Sequence, residues 1–297
     1  IIAALGLFIL PARSQYMMKQ WSNTDGLSNN SVNCFYEDSH HVMWIGTWDG
    51  LNTFNGRDFH TYSYNKNNPH SIGNNVIRQI AEQDSSYIWI ATNEGVSRWN
   101  RRTQQFCNFV PGRGEPTPRS MASYMITVTG EGDIIACVRR DGFYYFDHKE
   151  QCFEKIKGNV GPSVLSMTAD NGSNLYIVTE QRRLYRYGLV LTADGRTVFG
   201  SLAPIETEEL VHDIAFAQDH LVVNFGSRIS VLNTLTGNWQ RIDTARRIAK
   251  AIYHEGALLL AMGRGGGCAR YELRKKSLTP IYPVAAQTPI FSIYAGS

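Results

Sequence analysis

Six short apolar runs recur along the chain at nearly even intervals, beginning at Trp44, Trp89, Ile134, Tyr176, Leu221 and Leu259. The intervals are 45, 45, 42, 45 and 38 residues, a mean of 43. The first two runs, Trp44-Ile45-Gly46-Thr47 and Trp89-Ile90-Ala91-Thr92, are close copies. Runs this short and this continuous predict strands buried on both faces rather than helices. A tight turn and a second strand-like segment follow each run, at 51–55, 96–100, 143–147, 184–187, 229–233 and 268–271. Another segment precedes each, at 32–36, 76–81, 123–128, 164–169, 211–216 and 249–253, and turns such as Glu37-Asp38-Ser39-His40 close the hairpins between them. Aromatic segments at 59–64, 105–109 and 152–156 supply an outer fourth strand. Four strands per repeat at a period in the low forties predict the blades of a propeller.

The ends of the chain extend this pattern. Residues 290–297 read as the first strand of a seventh repeat, and residues 16–21 as a strand with no repeat before it. A terminal strand shared between the two ends would remove exposed sheet edges. The expected fold is therefore an all-β, seven-bladed β-propeller of four-stranded antiparallel blades, incomplete in its last blade. It would occupy residues 15–297, with a closing strand in 15–30 and the opening strand of the seventh blade in 290–297. Blades one to six are expected at 31–75, 76–122, 123–162, 163–210, 211–248 and 249–289.

Residues 1–10 are continuously apolar and are followed by Pro11-Ala12-Arg13-Ser14-Gln15. Ten residues cannot span a bilayer at about 1.5 Å each. They match the apolar core of a signal peptide, with Ala12 and Ser14 as small residues before a cut at Gln15. Residues 1–14 are thus expected to be a signal remnant, and the protein to be exported to the periplasm.

Composition narrows the function classes. At 43% hydrophobic and 19% charged, the 297 residues are not those of a disordered chain. The net charge of +3 is too small to suggest nucleic-acid binding, and none is expected. Cys34, Cys107, Cys137, Cys152 and Cys268 form no CxxC pair or Cys/His cluster, so they read as buried free thiols rather than metal ligands. The Gly263-Arg264-Gly265-Gly266-Gly267 stretch lies between strands, which makes it a turn rather than a phosphate cradle. His40-His41 fall in a hairpin turn and should be exposed. Asp25-Gly26, Asp49-Gly50 and Asp141-Gly142 recur at fixed repeat positions, which is turn chemistry rather than a pair of catalytic carboxylates. No catalytic residue, metal site or cofactor is expected in this chain.

One stretch carries a specific resemblance. Asp25-Gly26-Leu27-Ser28-Asn29-Asn30-Ser31-Val32, then Glu37-Asp38, then Trp44-Ile45-Gly46-Thr47-Trp48-Asp49-Gly50-Leu51-Asn52-Thr53-Phe54-Asn55-Gly56 resemble the two-component regulator propeller repeat, and residues 76–100 resemble it nearly as well. The resemblance implies the periplasmic sensor of a hybrid two-component system, of the kind that responds to glycans in gut Bacteroidetes. In that family two propellers precede a small β-sandwich, a membrane helix, a histidine kinase, a receiver and a DNA-binding domain. It implies an inner-membrane anchor, a second propeller and a β-sandwich as partners in the same full-length chain, and a homodimeric receptor. It also implies an oligosaccharide ligand and control of polysaccharide-utilisation genes, with kinase activity in parts beyond this sequence.

Candidate binding residues follow from propeller geometry. Turns between second and third strands share one face with the links between blades. That face would carry Arg139, Arg140, Arg182, Arg183, Arg228 and Arg264 from turns, and Arg113, Arg119, Arg246 and Arg247 from links. Guanidinium groups suit bidentate recognition of carboxylate or sulfate. Blades one and two instead offer Trp48, Asp49, Asn93 and Glu94, with Trp48 as a stacking platform for a sugar ring. The face is expected to meet an acidic glycan or an acidic surface of a neighbouring domain. The alternative is a solvated rim whose arginines pair with Asp141, Glu180, Glu206, Glu208 and Glu209. Two rival functions stand beside the sensor: a secreted propeller lyase or glycosidase, and a scaffold for protein contacts.

Overall fold

The structure is a computed structural model that describes residues 21–112, 124–156, 163–191, 197–244, 246–262 and 267–282. Twenty-four strands fall into six four-stranded sheets, each antiparallel and in sequence order. Blade 1 is β1 (Val32–Glu37), β2 (Met43–Thr47), β3 (Leu51–Phe54) and β4 (Phe59–Tyr62), and blade 2 is β5 (Ile77–Asp84), β6 (Tyr87–Thr92), β7 (Val96–Asn100) and β8 (Gln105–Phe109). Blade 3 is β9 (Tyr124–Val128), β10 (Ile134–Val138), β11 (Gly142–Asp147) and β12 (Cys152–Lys155); blade 4 is β13 (Val164–Ala169), β14 (Asn174–Thr179), β15 (Leu184–Leu191) and β16 (Thr197–Ile205). Blade 5 is β17 (Asp213–Ala217), β18 (His220–Asn224), β19 (Arg228–Asn233) and β20 (Trp239–Asp243); blade 6 is β21 (Ile248–His254), β22 (Ala257–Met262), β23 (Cys268–Glu272) and β24 (Ser277–Tyr282). The first strands β1, β5, β9, β13, β17 and β21 lie side by side in that order.

Six blades are present among the described residues, where seven were expected. Among the described residues, full four-strand sets are found for six repeats. The remnants assigned to a seventh, residues 290–297 and 16–21, lie outside the described residues apart from Trp21. Trp21 is not in a strand; its ring packs edge-on against Phe54 at 5.0 Å and Phe59 at 5.6 Å on blade 1. Beyond it, where the closing strand was expected, a 3-10 turn spans Asn23–Asp25. Short polar side chains direct the backbone there, as Ser22 and Asp25 exchange capping hydrogen bonds. The expected signal remnant, residues 1–14, also lies outside the described residues.

The continuous apolar runs have a simple cause. Five apolar clusters are described, one between each pair of consecutive blades. On β6, Ile88 and Ile90 pack toward blade 1, while Trp89 and Ala91 pack toward blade 3. On β10, Ile134, Ala136 and Val138 face blade 2, while Ile135 and Cys137 face blade 4. Alternate side chains enter opposite faces, and both faces are interior. Hence no polar residue interrupts the run.

The first strands break this alternation in a regular way. Pairing with the second strand skips Asn33, Arg78, Leu165 and Ala249 in blades 1, 2, 4 and 6. Each skipped residue is a β-bulge that resets the alternation. Ile77 and Ile80, three apart, therefore enter one cluster, as do Val164 and Met167, and Ile248 and Ala251. Val211 and Ile214 share a cluster at the same spacing, which puts His212 at the corresponding position of blade 5.

Candidate ligand-binding face

In blades 1, 2, 4 and 5 the turn between second and third strands is built by one buried polar residue that ends the second strand. The Thr47 hydroxyl donates to the Gly50 carbonyl at 2.8 Å and accepts from the Asp49 amide at 3.0 Å. Thr92 does the same for Gly95 and Glu94. Thr179 accepts the Arg183 amide, and Asn224 accepts the Gly226 amide. All four are at most 2% exposed. The words that carry the family resemblance are largely this architecture. Asn52, fully buried, bonds the Ser28 backbone and hydroxyl and the Ile45 carbonyl, and accepts from Thr61. In blade 2, Ser97 and Asn108 tie the incoming link through Gly73 and Ser71 in the same manner. The glycines of Asp25-Gly26, Asp49-Gly50 and Asp141-Gly142 all have positive φ, as turn chemistry requires.

On this frame the predicted residues take different environments. Trp48 is 49% exposed, and the Arg78 guanidinium lies 4.7 Å from its ring centroid. Arg78 is itself held by a 2.7 Å hydrogen bond from Nε to the Asn93 side-chain oxygen. One ring face of Trp48 is thus backed by a cation, and the side chain still meets solvent. Asp49 accepts from Asn75 at 2.9 Å.

The arginines divide into partnered and unpartnered sets. Arg139 is exposed and grips one oxygen of Glu180 through Nε and Nη2, at 3.1 and 2.8 Å. Arg228 departs from expectation. It was placed in an exposed turn, but it opens β19, is 6% exposed, stacks 4.9 Å from the Phe225 ring, and pairs with Glu208 and Glu209 at 3.2 Å each. Its Nε has no partner among the described residues. It is a packing residue whose charge is already matched. Asp141 also belongs to the rim: Lys155 at 2.6 Å and the Tyr144 hydroxyl bind it. Burial raises this carboxyl, but those two partners outweigh it and hold Asp141 below the usual carboxylate range.

By contrast, Arg140, Arg182, Arg183 and Arg247 have no carboxylate partner among the described residues, and all but the half-buried Arg182 are exposed. Arg140 and Arg182 stand in left-handed turn backbone, at φ 66° and 58°. Arg182 Nη1 lies 2.9 Å from His212 Nδ1. Burial, then the positive charges of Arg182 and Arg247, hold His212 below the ordinary imidazole range. Arg113, Arg119 and Arg264 lie outside the described residues.

Sequence reasoning passed over Arg78 and His212. Arg78 occupies the bulge of a first strand and His212 the residue just before a first strand, and the available signal was two buried aliphatics three apart rather than two or four. It also overstated thiol burial. Cys137 is buried and Cys34 and Cys268 are half-buried, but Cys107 and Cys152 are exposed because β8 and β12 are outer strands with one face in solvent. Among the described residues, no group of three His, Cys, Asp or Glu is placed to hold a metal, and no helix is long and apolar enough to cross a membrane.

Comparison with known proteins fits this architecture. Residues 26–49 match the family described as two component regulator propeller, so the resemblance read from that stretch is borne out. Over 69 residues the chain is 35% identical to histidine kinase P4 of Formosa agariphila, a stretch equal to 23% of this chain and 5% of that protein. The extracellular domain of a protein described as a hybrid two component system of B. thetaiotaomicron aligns over 94% of this chain and 39% of its own, with TM-score 0.69 and 19% identity. A second such domain from the same organism aligns over 84% of this chain and 36% of its own, with TM-score 0.65 and 16% identity. A chain of a mitotic checkpoint complex aligns over 98% of this chain and 91% of its own, with TM-score 0.65 at 10% identity. Likeness at such identities shows the propeller fold, which by itself names no function. The chain spans under two fifths of the solved two-component domains and a twentieth of the curated kinase, at 39%, 36% and 5%.

Proposed function

We propose that this chain is the ligand-sensing propeller of an exported, membrane-anchored hybrid sensor histidine kinase, that its ligand is an oligosaccharide, and that the receptor controls polysaccharide-utilisation genes. In this reading the chain itself is not an enzyme, and it works beside a second propeller and a β-sandwich in a homodimeric periplasmic receptor. The observation that carries the reading is the face formed by the second-to-third-strand turns. There a half-exposed Trp48, backed by Arg78, stands on the same face as arginines that no local carboxylate neutralises. An aromatic face beside multidentate donors is the chemistry that sugar rings and their acidic substituents require. Ligand with higher affinity for one arrangement of propeller and partner domains would shift the receptor between states.

The test is a panel of oligosaccharides measured for binding by calorimetry and for turnover by chromatography. Saturable binding without turnover, weakened about tenfold or more in Trp48→Ala, is the expected result. Turnover would replace this reading with the lyase or glycosidase, and neither binding nor turnover would leave the scaffold.

A further inference from the structure

At the junction of blades 4 and 5 the Arg182 guanidinium meets the His212 imidazole, and the charge of Arg247, on the neighbouring link, acts on the same imidazole. Arg182 comes from the β14–β15 turn, His212 from the start of blade 5, and Arg247 from the link into blade 6. The backbone fixes each of them. Arg182 sits at φ 58°, with its amide bonded to the Thr179 carbonyl and its own carbonyl accepting from the Val211 amide. His212 donates its amide to the Asn224 carbonyl at 2.7 Å. The link that carries Arg247 is strapped to the β18–β19 turn from both sides: Thr244 bonds the Ser227 carbonyl, and the Ile248 amide bonds the Gly226 carbonyl at 2.6 Å.

Gly226 lies against the imidazole. A Cβ built on it would stand 3.2 Å from His212 Cδ2 and 3.3 Å from Nε2. A guanidinium donates hydrogen bonds and accepts none, so the 2.9 Å contact from Arg182 Nη1 requires His212 Nδ1 to be the acceptor. The ring proton is then on Nε2, on the edge beside the side-chain-free Gly226. Every polar hydrogen of the three side chains is a donor, and no carboxylate pairs with Arg182 or Arg247 among the described residues. The rim a few residues away differs, because Arg139 is matched by Glu180 and Arg228 by Glu208 and Glu209.

From this arrangement we infer that Arg182 and Arg247, with Arg182 positioned by His212, form an oxyanion site, which takes the carboxylate or sulfate group of an acidic sugar. Planar guanidinium forks match the geometry of either group, and His212, by accepting from Arg182 Nη1, holds the Arg182 fork in place. The sugar half of this inference rests on the proposed sensing role; the anion half does not.

The experiment separates the two. The whole chain is titrated with sodium sulfate, and separately with sodium glucuronate, at ionic strength held constant with sodium chloride. The readout is the His212 ring proton resonance, assigned by its absence in His212→Gln. Saturable shifts are expected in the wild type and in Arg139→Ala. Affinity should fall about tenfold in Arg182→Lys, which keeps the charge and loses the fork, and further in Arg247→Gln, an exposed position whose replacement leaves the fold intact. Equal affinity in the wild type and both variants, or no saturable shift with either anion, overturns the site. The difference between the sulfate and glucuronate arms identifies the preferred group. Acidic and neutral oligosaccharides are then compared. If simple anions bind in an Arg182-dependent way and no oligosaccharide does, the anion site stands and the glycan reading falls. If a neutral oligosaccharide binds and neither anion does, the site falls and the reading stands.

Discussion

Asp38 shows how much one side chain can organise. Its carboxylate accepts from the Trp44 indole at 2.7 Å, from the backbone of His40 and Val42, and from Arg101 of the next blade at 2.9 Å, with no exposure of its own. Burial raises the carboxyl, and the hydrogen bonds from Trp44, Val42, Arg101 and His40 together outweigh it, so it titrates below the usual carboxylate range. A folded-state pKa below the unfolded one contributes stability that is complete above the unfolded value and is lost as pH falls through the folded value. Asp38→Ala should therefore cost about 3–5 kcal/mol at neutral pH, since it strands the Trp44 and Arg101 donors. In urea titrations from pH 7 down to pH 3, the gap between wild type and variant should narrow at the acid end; a constant gap would deny Asp38 this role. Gly95 makes a second test at the same scale. Its φ is +149°, and a Cβ there would stand 2.4 Å from the Phe109 carbonyl oxygen, whereas Gly56, at φ +93°, has open space around it. Gly95→Ala should cost about 3 kcal/mol and Gly56→Ala about 1 kcal/mol, measured by chemical denaturation.

The first strand of a blade is where the apolar pattern missed the register, and the reason is physical. A run buried on both faces, such as Ile134-Ile135-Ala136-Cys137-Val138, announces itself by composition alone. So did the turns, because positive φ restricts their residues to a few types. A bulge leaves a weaker trace. It changes the spacing of two buried aliphatics from two to three, and without the bulge Ile77 and Ile80 would point to opposite blades. For the same reason the candidate face was legible as a place but not as a set of contacts. The repeat put Trp48 and Arg182 on one face, while the cation over Trp48 came from a bulge and the histidine on Arg182 from the residue just before a first strand. Arg228 was misplaced because a turn and the first residue of the strand after it look alike in sequence. The bulge itself can be tested. Arg78→Ala removes a side chain and should cost only about 1 kcal/mol. Deleting Arg78 forces β5 to slip by one residue against β6, which turns either Ile77 or Ile80 away from the blade 1 cluster. Loss of a single cooperative transition is expected for the deletion and not for the substitution, as followed by tryptophan fluorescence in urea.

Across the whole molecule, stability resides between blades rather than within them. No single four-stranded sheet has a core of its own. Each apolar cluster draws on two neighbours, as when Trp89 of blade 2 packs with Tyr144 and Phe146 of blade 3. Polar ties follow the same plan: Ser166 Oγ donates to Asp213 and Lys250 pairs with Asp213 at 2.6 Å, linking β13, β17 and β21. Repeat proteins whose units meet only their neighbours can unfold piecemeal when the interfaces are weak, and as one unit when the interfaces carry most of the buried surface. Here the second case is expected, and the cysteines report on it. Cys107 and Cys152 are exposed and should react with a thiol reagent in the native state. Cys34 of blade 1, packed against Gly46 and against Ile77 of blade 2, and Cys137, buried in blade 3, have their thiols pushed up to about 12 by burial, so little thiolate is available to react. Pulsed alkylation across a urea gradient, read by peptide mass spectrometry, should show Cys34 and Cys137 becoming reactive at one common midpoint. That midpoint should coincide with the loss of tryptophan fluorescence, because exposing either thiol requires opening interfaces that the other blades share. Midpoints separated by more than the width of the transition would instead mean that blades 1 and 3 open independently, and that the clusters between them do not couple the propeller into one folding unit.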